Sequence, residues 1–271
     1  MTIRIGAVSY LNTKPLIEGL EERLVAACSG GILHLDLPSH LAEQLSCGQL
    51  DIALIPSIEF FRGPELWSIV SDACIACRGP VRSVQLLFNC PPEQVQTLAL
   101  DEGSRTSAAL SQVMLFERFG IRPDLIPLPI TADYHRCEAD AVLIIGDRAM
   151  QVDSSNYVET WDLGEEWWKW TGLPFVFAMW VSGSGDISPS QQNVVEELES
   201  ARDRGLAEVE SIAAREATKY HLTIDDCLKY FTKQLHFRLG PDELKGLEKF
   251  KRLATKLGLT GVQSDLQELR S

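Results

Sequence analysis

An α/β fold in two lobes, with a ligand cleft between them and a helical C-terminal segment, is what this sequence predicts, and three observations carry the prediction. Residues 3–56 alternate short apolar strands with helices, residues 84–160 do so a second time, and the stretch from 188 onward is helical. Alternation of this kind implies parallel strand pairing through right-handed crossovers. The second block reads as a second α/β unit, not as a continuation of the first sheet. Residues 1–79 and 180–271 then form one lobe and 80–179 the other, joined by chain crossings near 77–83 and 174–182.

The elements follow in order. "IRIGAV" (3–8) is a short apolar strand, and Pro15 suits a first helical position, with a helix running to about Val25. "ILHLDL" (32–37) and "DIALIP" (51–56) are strands on either side of a helix, "PSHLAEQLSCG", which Gly48 closes. "SIVSDACIACRG" reads as a further strand. In the second block "VQLLF", "TLALD", "LIPLP" and "DAVLIIG" read as strands, and "SRTSAALSQVMLFERFG" as a helix with hydroxyl caps and a terminal Gly120. Five of the six tryptophans lie between 161 and 180, which reads as a packed aromatic segment leading into a buried strand, "PFVFAMWV". Ser188-Pro189 starts a long charged helix expected to reach Tyr220. Thr223 stands three residues before Asp226, close to a capping box, and Gly240-Pro241 opens the last helix.

Composition removes several classes of function. The net charge of −13 argues against a nucleic-acid partner, because phosphate binding wants a basic face. The N-terminus lacks a basic segment followed by a long apolar one, and no stretch approaches the ~18 apolar residues of a membrane helix. A cytoplasmic protein with no membrane partner is therefore expected. Seven cysteines, an odd number spread along the chain, fit reduced thiols better than a disulfide framework. Cys74 and Cys77 have the zinc or redox spacing. They fall in a strand, where that spacing points side chains to opposite faces, and no second pair exists, so they read as structural. The five histidines show no metal-ligand pairing. His135 is the one expected nearest the cleft, as a candidate base.

In the two-lobed arrangement the loops that follow the strands share one face. They carry Ser9, Tyr10, Asn12 and Thr13 after the first strand, and Ser57 and Glu59 after the third. The crossing adds Ser83. The second block adds Asp101, Glu102, Gly103, Ser104, Arg105, Thr106 and Ser107, then Gly146, Asp147 and Arg148. Each hydroxyl or amide alone is an ordinary turn or cap residue, but their coincidence on one face points to a binding site. Neutral donors at helix starts hold an anion through free N–H groups and the helix dipole, without importing charge into an acidic protein. No glycine-rich phosphate loop is present.

"IGAVSYLNTKPL", "DIALIPSIEF", "GPVRSVQLLF", "LALDEGSRTSAALSQVML", "ADAVLIIGDRAM" and "DLGEEWWKWTGLPFVFAMW", in this order over residues 3–182, resemble the chorismate dehydratases of the futalosine route to menaquinone. The resemblance implies a periplasmic-binding-protein-like fold of type II, with mixed sheets, in a cytosolic enzyme; no cofactor and no metal ligand are read from the residues. Chorismate would be its small-molecule substrate, converted to 3-[(1-carboxyvinyl)oxy]benzoate with loss of water. The sister enzyme that forms 1,4-dihydroxy-6-naphthoate typically has a histidine where Gly146-Asp147 stands here, which favours the dehydratase. A non-catalytic small-anion binding protein on the same fold is the third reading. On the resemblance, Asn12 is the catalytic residue, fixing the substrate so that its own enolpyruvyl carboxylate takes the proton. Ser9, Tyr10, Ser57, Ser83 and Gly146 are substrate contacts, and Ser104, Thr106 and Ser107 grip a carboxylate. Arg105 either pairs with a carboxylate or points to solvent, and Asp147 or Glu59 stands as the alternative proton donor. Oligomeric state is not set by anything in the chain.

Overall fold

The computed structural model of the protein describes residues 2–27, 31–184 and 189–260. Strands β1 (Arg4–Val8), β2 (Ile32–Asp36) and β3 (Ile52–Pro56) alternate with helices α1 (Leu20–Ala27) and α2 (Pro38–Ser46), and α3 (Ser57–Arg62) leaves directly from β3. β1 pairs in parallel with both β2 and β3, as the alternation requires. Every residue of β3 is buried, which a strand covered on both faces must be, whereas β2 lies at the sheet edge and exposes Ile32 and Leu35.

The predicted helix from Pro15 to Val25 does not form as one piece. The chain makes a 3-10 helix over Leu11–Leu16 with Pro15 inside it, turns at Gly19 (φ +63°), and only then enters α1. Pro15 supplies no N–H to continue an α-helical ladder, and a left-handed glycine ends the turn cheaply.

β4 (Ser68–Cys77) completes the first pass. Cys74 and Cys77 are both fully buried in it, and burial pushes both thiols above their ordinary range, so they pack as small apolar groups. After the crossing at 78–83, a second sheet is built from β5 (Val84–Phe88), β6 (Thr97–Asp101), β7 (Asp124–Leu128), β8 (Ala141–Ile145) and β9 (Glu159–Asp162). Its order is β7-β6-β8-β5-β9, with β6 parallel to β7 and β8, and β5 antiparallel to β8 and β9. Helix α4 (Thr106–Phe119) follows β6 and ends at Gly120 (φ +73°), as read from the sequence. Its N-cap position falls on Arg105, which makes no side-chain capping bond, so the expected hydroxyl cap is not formed.

The chain returns through α5 (Leu163–Thr171), and β10 (Phe175–Ser182) lies wholly in the first sheet, antiparallel to β3 and β4. The second crossing therefore precedes residue 175, earlier than the 174–182 expected. An apolar run declares a buried strand without declaring which sheet buries it. The tryptophan-rich segment is packing, as read: Trp161, Trp167 and Trp180 are buried, and Trp167 meets Phe175 at 5.2 Å between ring centres.

The C-terminal part is helical, but the long helix breaks at Glu208 into α6 (Pro189–Ala207) and α7 (Val209–Glu216), with a 3-10 turn at Ala217–Tyr220. Ser188, the expected cap of α6, lies outside the described residues. Thr223 accepts the Asp226 N–H and starts α8 (Ile224–Lys229). A π turn at Tyr230–Gln234 leads into β11 (His236–Arg238), which joins the free edge of β4, and α9 (Pro241–Lys256) packs near Trp167 through Phe250. The first sheet thus reads β11-β4-β10-β3-β1-β2. α6 presses on the 3-10 helix so closely that a Cβ on Gly205 would stand 1.9 Å from the Pro15 carbonyl oxygen.

Candidate active site

One cavity lies between the two sheets, and it is lined where β1, β2, β3, β6 and β8 end. Val8, Tyr10 and Asn12 come from the end of β1, Pro38 from β2, Pro56 from β3, Gly103 to Ser107 from β6, and Ile145 and Gly146 from β8. Ile75 of β4, Phe177 and Ala178 of β10, and Val81, Ser83 and Val84 of the first crossing close the remaining walls. The cavity is open to solvent at its mouth, and the space within and before it amounts to about 540 Å³ with that open solvent counted.

Its chemistry is neutral and hydrogen-bonding. Asn12 sits in the 3-10 helix, where the Thr13 hydroxyl lies 3.3 Å from its Oδ1. That contact orients the carboxamide so that its NH₂ is the donor edge. Tyr10 lies against Gly146, and burial, reinforced by the charges of Asp101 and Asp147, raises its phenol well above the ordinary range, so the hydroxyl stays protonated. The Gly146 N–H donates to the Ser83 carbonyl at 2.8 Å, which ties the end of β8 to the crossing.

Ser104 Oγ is buried and has no hydrogen-bond partner in the protein. Thr106 is otherwise engaged: its hydroxyl donates to the Phe177 carbonyl at 3.1 Å and accepts the Ile58 N–H at 3.3 Å. Only its backbone N–H, in the first turn of α4, remains outside the helical ladder, together with those of its neighbours including Ser107. Arg105 lines the cavity and reaches Glu43 of α2 at 3.2 Å, with its side chain 41% exposed. Among the described residues of the lining it is the one charged side chain, and no carboxylate or histidine takes part.

Several residues read into the site fall outside this lining. Ser9 is exposed and engages the Asp36 carbonyl through its N–H, because the strand's alternation turns its side chain away from Val8's face. Ser57 is buried behind the wall, its hydroxyl donating to the Val176 carbonyl at 2.8 Å. Asp147 accepts the Leu11 N–H at 3.1 Å. Glu59 pairs with Arg62, and His135 is exposed beside Tyr134 and Tyr157.

A family profile described as menaquinone biosynthesis matches residues 3–256. The chain belongs to the menaquinone biosynthesis family. A chorismate dehydratase of Thermus thermophilus is 27% identical over 94% of this chain and 95% of its own length. Among solved structures, protein AF1704 of Archaeoglobus fulgidus superposes with a TM-score of 0.77 at 13% identity, covering 95% of this chain and 98% of that one. A Candida albicans protein described as having the generic periplasmic binding protein fold gives 0.64 at 11% identity (94% and 90% covered). The aliphatic sulphonate binding protein SsuA of Escherichia coli gives 0.60 at 14% identity (96% and 93%). The fold is therefore periplasmic-binding-protein-like, with the helical C-terminal segment in place.

In this member of the menaquinone biosynthesis family two carboxylates brace the site, Asp101, which was read onto the cleft face, and Asp162, which sequence reasoning left out. Asp101, 2% exposed, accepts the N–H of Gly103 at 3.0 Å and holds Arg148 at 2.6 Å, while Arg148 also donates to the Ile130 carbonyl. Asp162 caps α5 and also accepts the N–H groups of Val81 and Arg82 and the Gln85 amide, so one carboxylate binds both chain crossings. Burial raises the Asp162 carboxyl despite those bonds. Arg82 takes a left-handed backbone there (φ +63°), which aligns its N–H with Asp162 and turns Ser83 into the cavity wall. A capping Asp before a tryptophan-rich helix was the available signal for Asp162; its reach across 80 residues had none.

Proposed function

We propose that the protein is a chorismate dehydratase, a carbon–oxygen lyase acting in the cytoplasm. The observation that carries the reading is a cavity of neutral donors and one arginine, without a carboxylate or histidine, in a member of this family. The similarity to the Thermus enzyme supports the choice of substrate.

The chemistry fits that inventory. The C–H bond at the ether-bearing ring carbon breaks and its electron pair becomes a ring π bond. The neighbouring C–O bond breaks, and the hydroxyl leaves with a proton as water. Aromatisation of the ring supplies the driving force, so the protein's task is geometric. The enolpyruvyl carboxylate of the substrate takes the proton and delivers it to the departing oxygen. Asn12 holds the substrate in the conformation that lets it do so. Ser83 and Tyr10 add donors, and the start of α4, with Ser104 Oγ and the backbone N–H groups of Thr106 and Ser107, grips the ring carboxylate. Arg105 exchanges Glu43 for substrate charge. A lobe division at the two crossings, with the second crossing before β10, would let the cavity open for entry and shut for reaction.

The test is to mix purified protein with chorismate, follow the diene absorbance and identify the product by NMR. Loss of the diene with a meta-substituted benzoate is the expected result. Stabilisation by chorismate without turnover would make the protein a small-anion binder. No effect of chorismate, with formation of 1,4-dihydroxy-6-naphthoate from that enzyme's substrate, would assign the sister reaction.

A further inference from the structure

Two consecutive residues of the loop after β1 dock on two consecutive residues after β8. Tyr10 packs against Gly146 so closely that a Cβ on the glycine would stand 3.1–3.2 Å from three ring carbons. One residue further, the Leu11 N–H donates to Asp147 Oδ1 at 3.1 Å. The next residue is Asn12. Asp147 itself is largely buried yet absent from the cavity lining.

The groups whose charges meet Asp147 come from each element packed around it. Lys14 faces it from the same 3-10 helix as Leu11, Tyr10 from the loop before it, Tyr220 from the turn at Ala217–Tyr220, and Tyr230 from the π turn. Arg148, its sequence neighbour, is committed to Asp101 and the Ile130 carbonyl. Among the described residues no arginine pairs with the carboxylate, which accepts the N–H of Leu11, one residue before Asn12.

We propose that Asp147 is a positioning residue: with Tyr10 and Gly146 it latches the second sheet to the loop carrying Asn12, and fixes Asn12 without touching substrate. The role assigned to Asn12 rests on the function proposed above; the latch itself does not. It also replaces the alternative of Asp147 as proton donor, since a group outside the cavity has no path to the leaving oxygen. Burial raises its carboxyl to about 6 in the latched state. Separation of the sheets would return it to water and to its ordinary range, so latching takes up a proton. Ligand binding that needs the latch is therefore tightest below about pH 4, weakens as pH rises through 6 and levels off above it.

Hydrogen exchange of the ligand-free protein tests the latch directly, read by mass spectrometry on the peptide spanning residues 9–16. Asp147→Leu, of similar size but without an acceptor, should raise exchange at the Leu11 amide at least tenfold. Asp147→Asn keeps an acceptor oxygen and should stay within threefold of the unaltered protein. Unchanged exchange in Asp147→Leu would overturn the proposal. Should that variant fail to fold, Gly146→Ala leaves Asp147 intact and sets a methyl against Tyr10; it should unprotect the same peptide, and full protection there would overturn the latch equally.

With chorismate, Asp147→Leu should lower kcat at least tenfold and Asp147→Asn should recover it to within threefold. KM should rise between pH 5.5 and 7.5 in the unaltered protein and stay flat in Asp147→Asn. If Asp147→Asn is as inactive as Asp147→Leu, the residue transfers a proton and the proposal falls. Exchange as expected with no turnover of chorismate by the unaltered protein would support the latch and overturn the functional reading instead.

Discussion

On the function proposed here, Asn12 carries the heaviest demand of the residues in the cavity, because no charged base lines it and only geometry would separate a bound chorismate from a reacting one. Asn12→Ala should therefore lower kcat by roughly a thousandfold while the dissociation constant changes by less than about tenfold, the signature of an interaction made chiefly in the transition state. Steady-state kinetics paired with calorimetric titration separates the two. Asp147 makes a different prediction, about stability. Its carboxyl is raised by burial from 3.8 to about 6, so the folded chain holds a proton that the unfolded chain releases. The contribution to stability, on the order of 3 kcal/mol, is fully present below about pH 4 and is lost as pH rises through 6, so that essentially none remains at neutral pH. Asp147→Asn should therefore raise Tm at pH 7.5 and leave it unchanged near pH 4, as a thermal melt series would register. A carboxylate retained against its own folding cost is what a functional position looks like.

At the scale of elements, the site depends on a 3-10 helix that cannot hold its own shape. Leu11–Leu16 is six residues long, and α6 braces it from behind through contact of Gly205 with the Pro15 carbonyl. Gly205→Ala must displace that carbonyl, since backbone cannot yield as a flexible side chain would. A loss of about 2 kcal/mol or more in urea unfolding is expected, with a fall in kcat from the displacement of Asn12. If urea unfolding and kcat both match those of the unaltered protein, α6 is not a brace. The strands of both sheets were legible because apolar runs bounded by turn residues have few other outcomes. The 3-10 helix was not. A proline five residues into a helical pattern is compatible with a helix starting at it, and only the packing of α6 selects the tighter turn instead. The same limit explains β9 and β11, which are four and three residues long and owe their existence to a neighbouring strand's open edge.

For the molecule as a whole, the decisive feature is that the chain passes between the sheets twice and both passages are tied to Asp162. Asp162→Ala would leave the N–H groups of Val81, Arg82, Gly164 and Glu165 without their acceptor in a largely buried place. A destabilisation of roughly 3 kcal/mol is expected, with weaker chorismate binding as Ser83 loses its place in the wall. Chemical denaturation and ligand titration would measure the two effects, and a variant as stable as the parent would mean that the crossings hold without it. Such a knot is invisible in sequence, since nothing in "TWDLG" refers to "PVRSV". The cavity was legible in another way. Tyr10, Asn12, Ser83, Ser104 to Ser107 and Gly146 line it, because residues after parallel strands must gather at one end of a sheet whatever the sheet's order. Ser9, Ser57 and Asp147, also read into it, lie one position out of phase or one layer behind, and Glu59 and His135 fall outside it.

Local pattern by itself determined the alternation of elements, the existence of two sheets, the aromatic core and the face on which the binding residues gather, because hydrophobic period and turn chemistry act over a few residues. Tertiary structure alone decided the sheet that receives β10, the bend that becomes a 3-10 helix, the hydroxyls left unpartnered and the carboxylates that brace instead of react. Those outcomes depend on contacts between residues far apart in the chain, and a contact across 80 or 136 residues leaves no period to read.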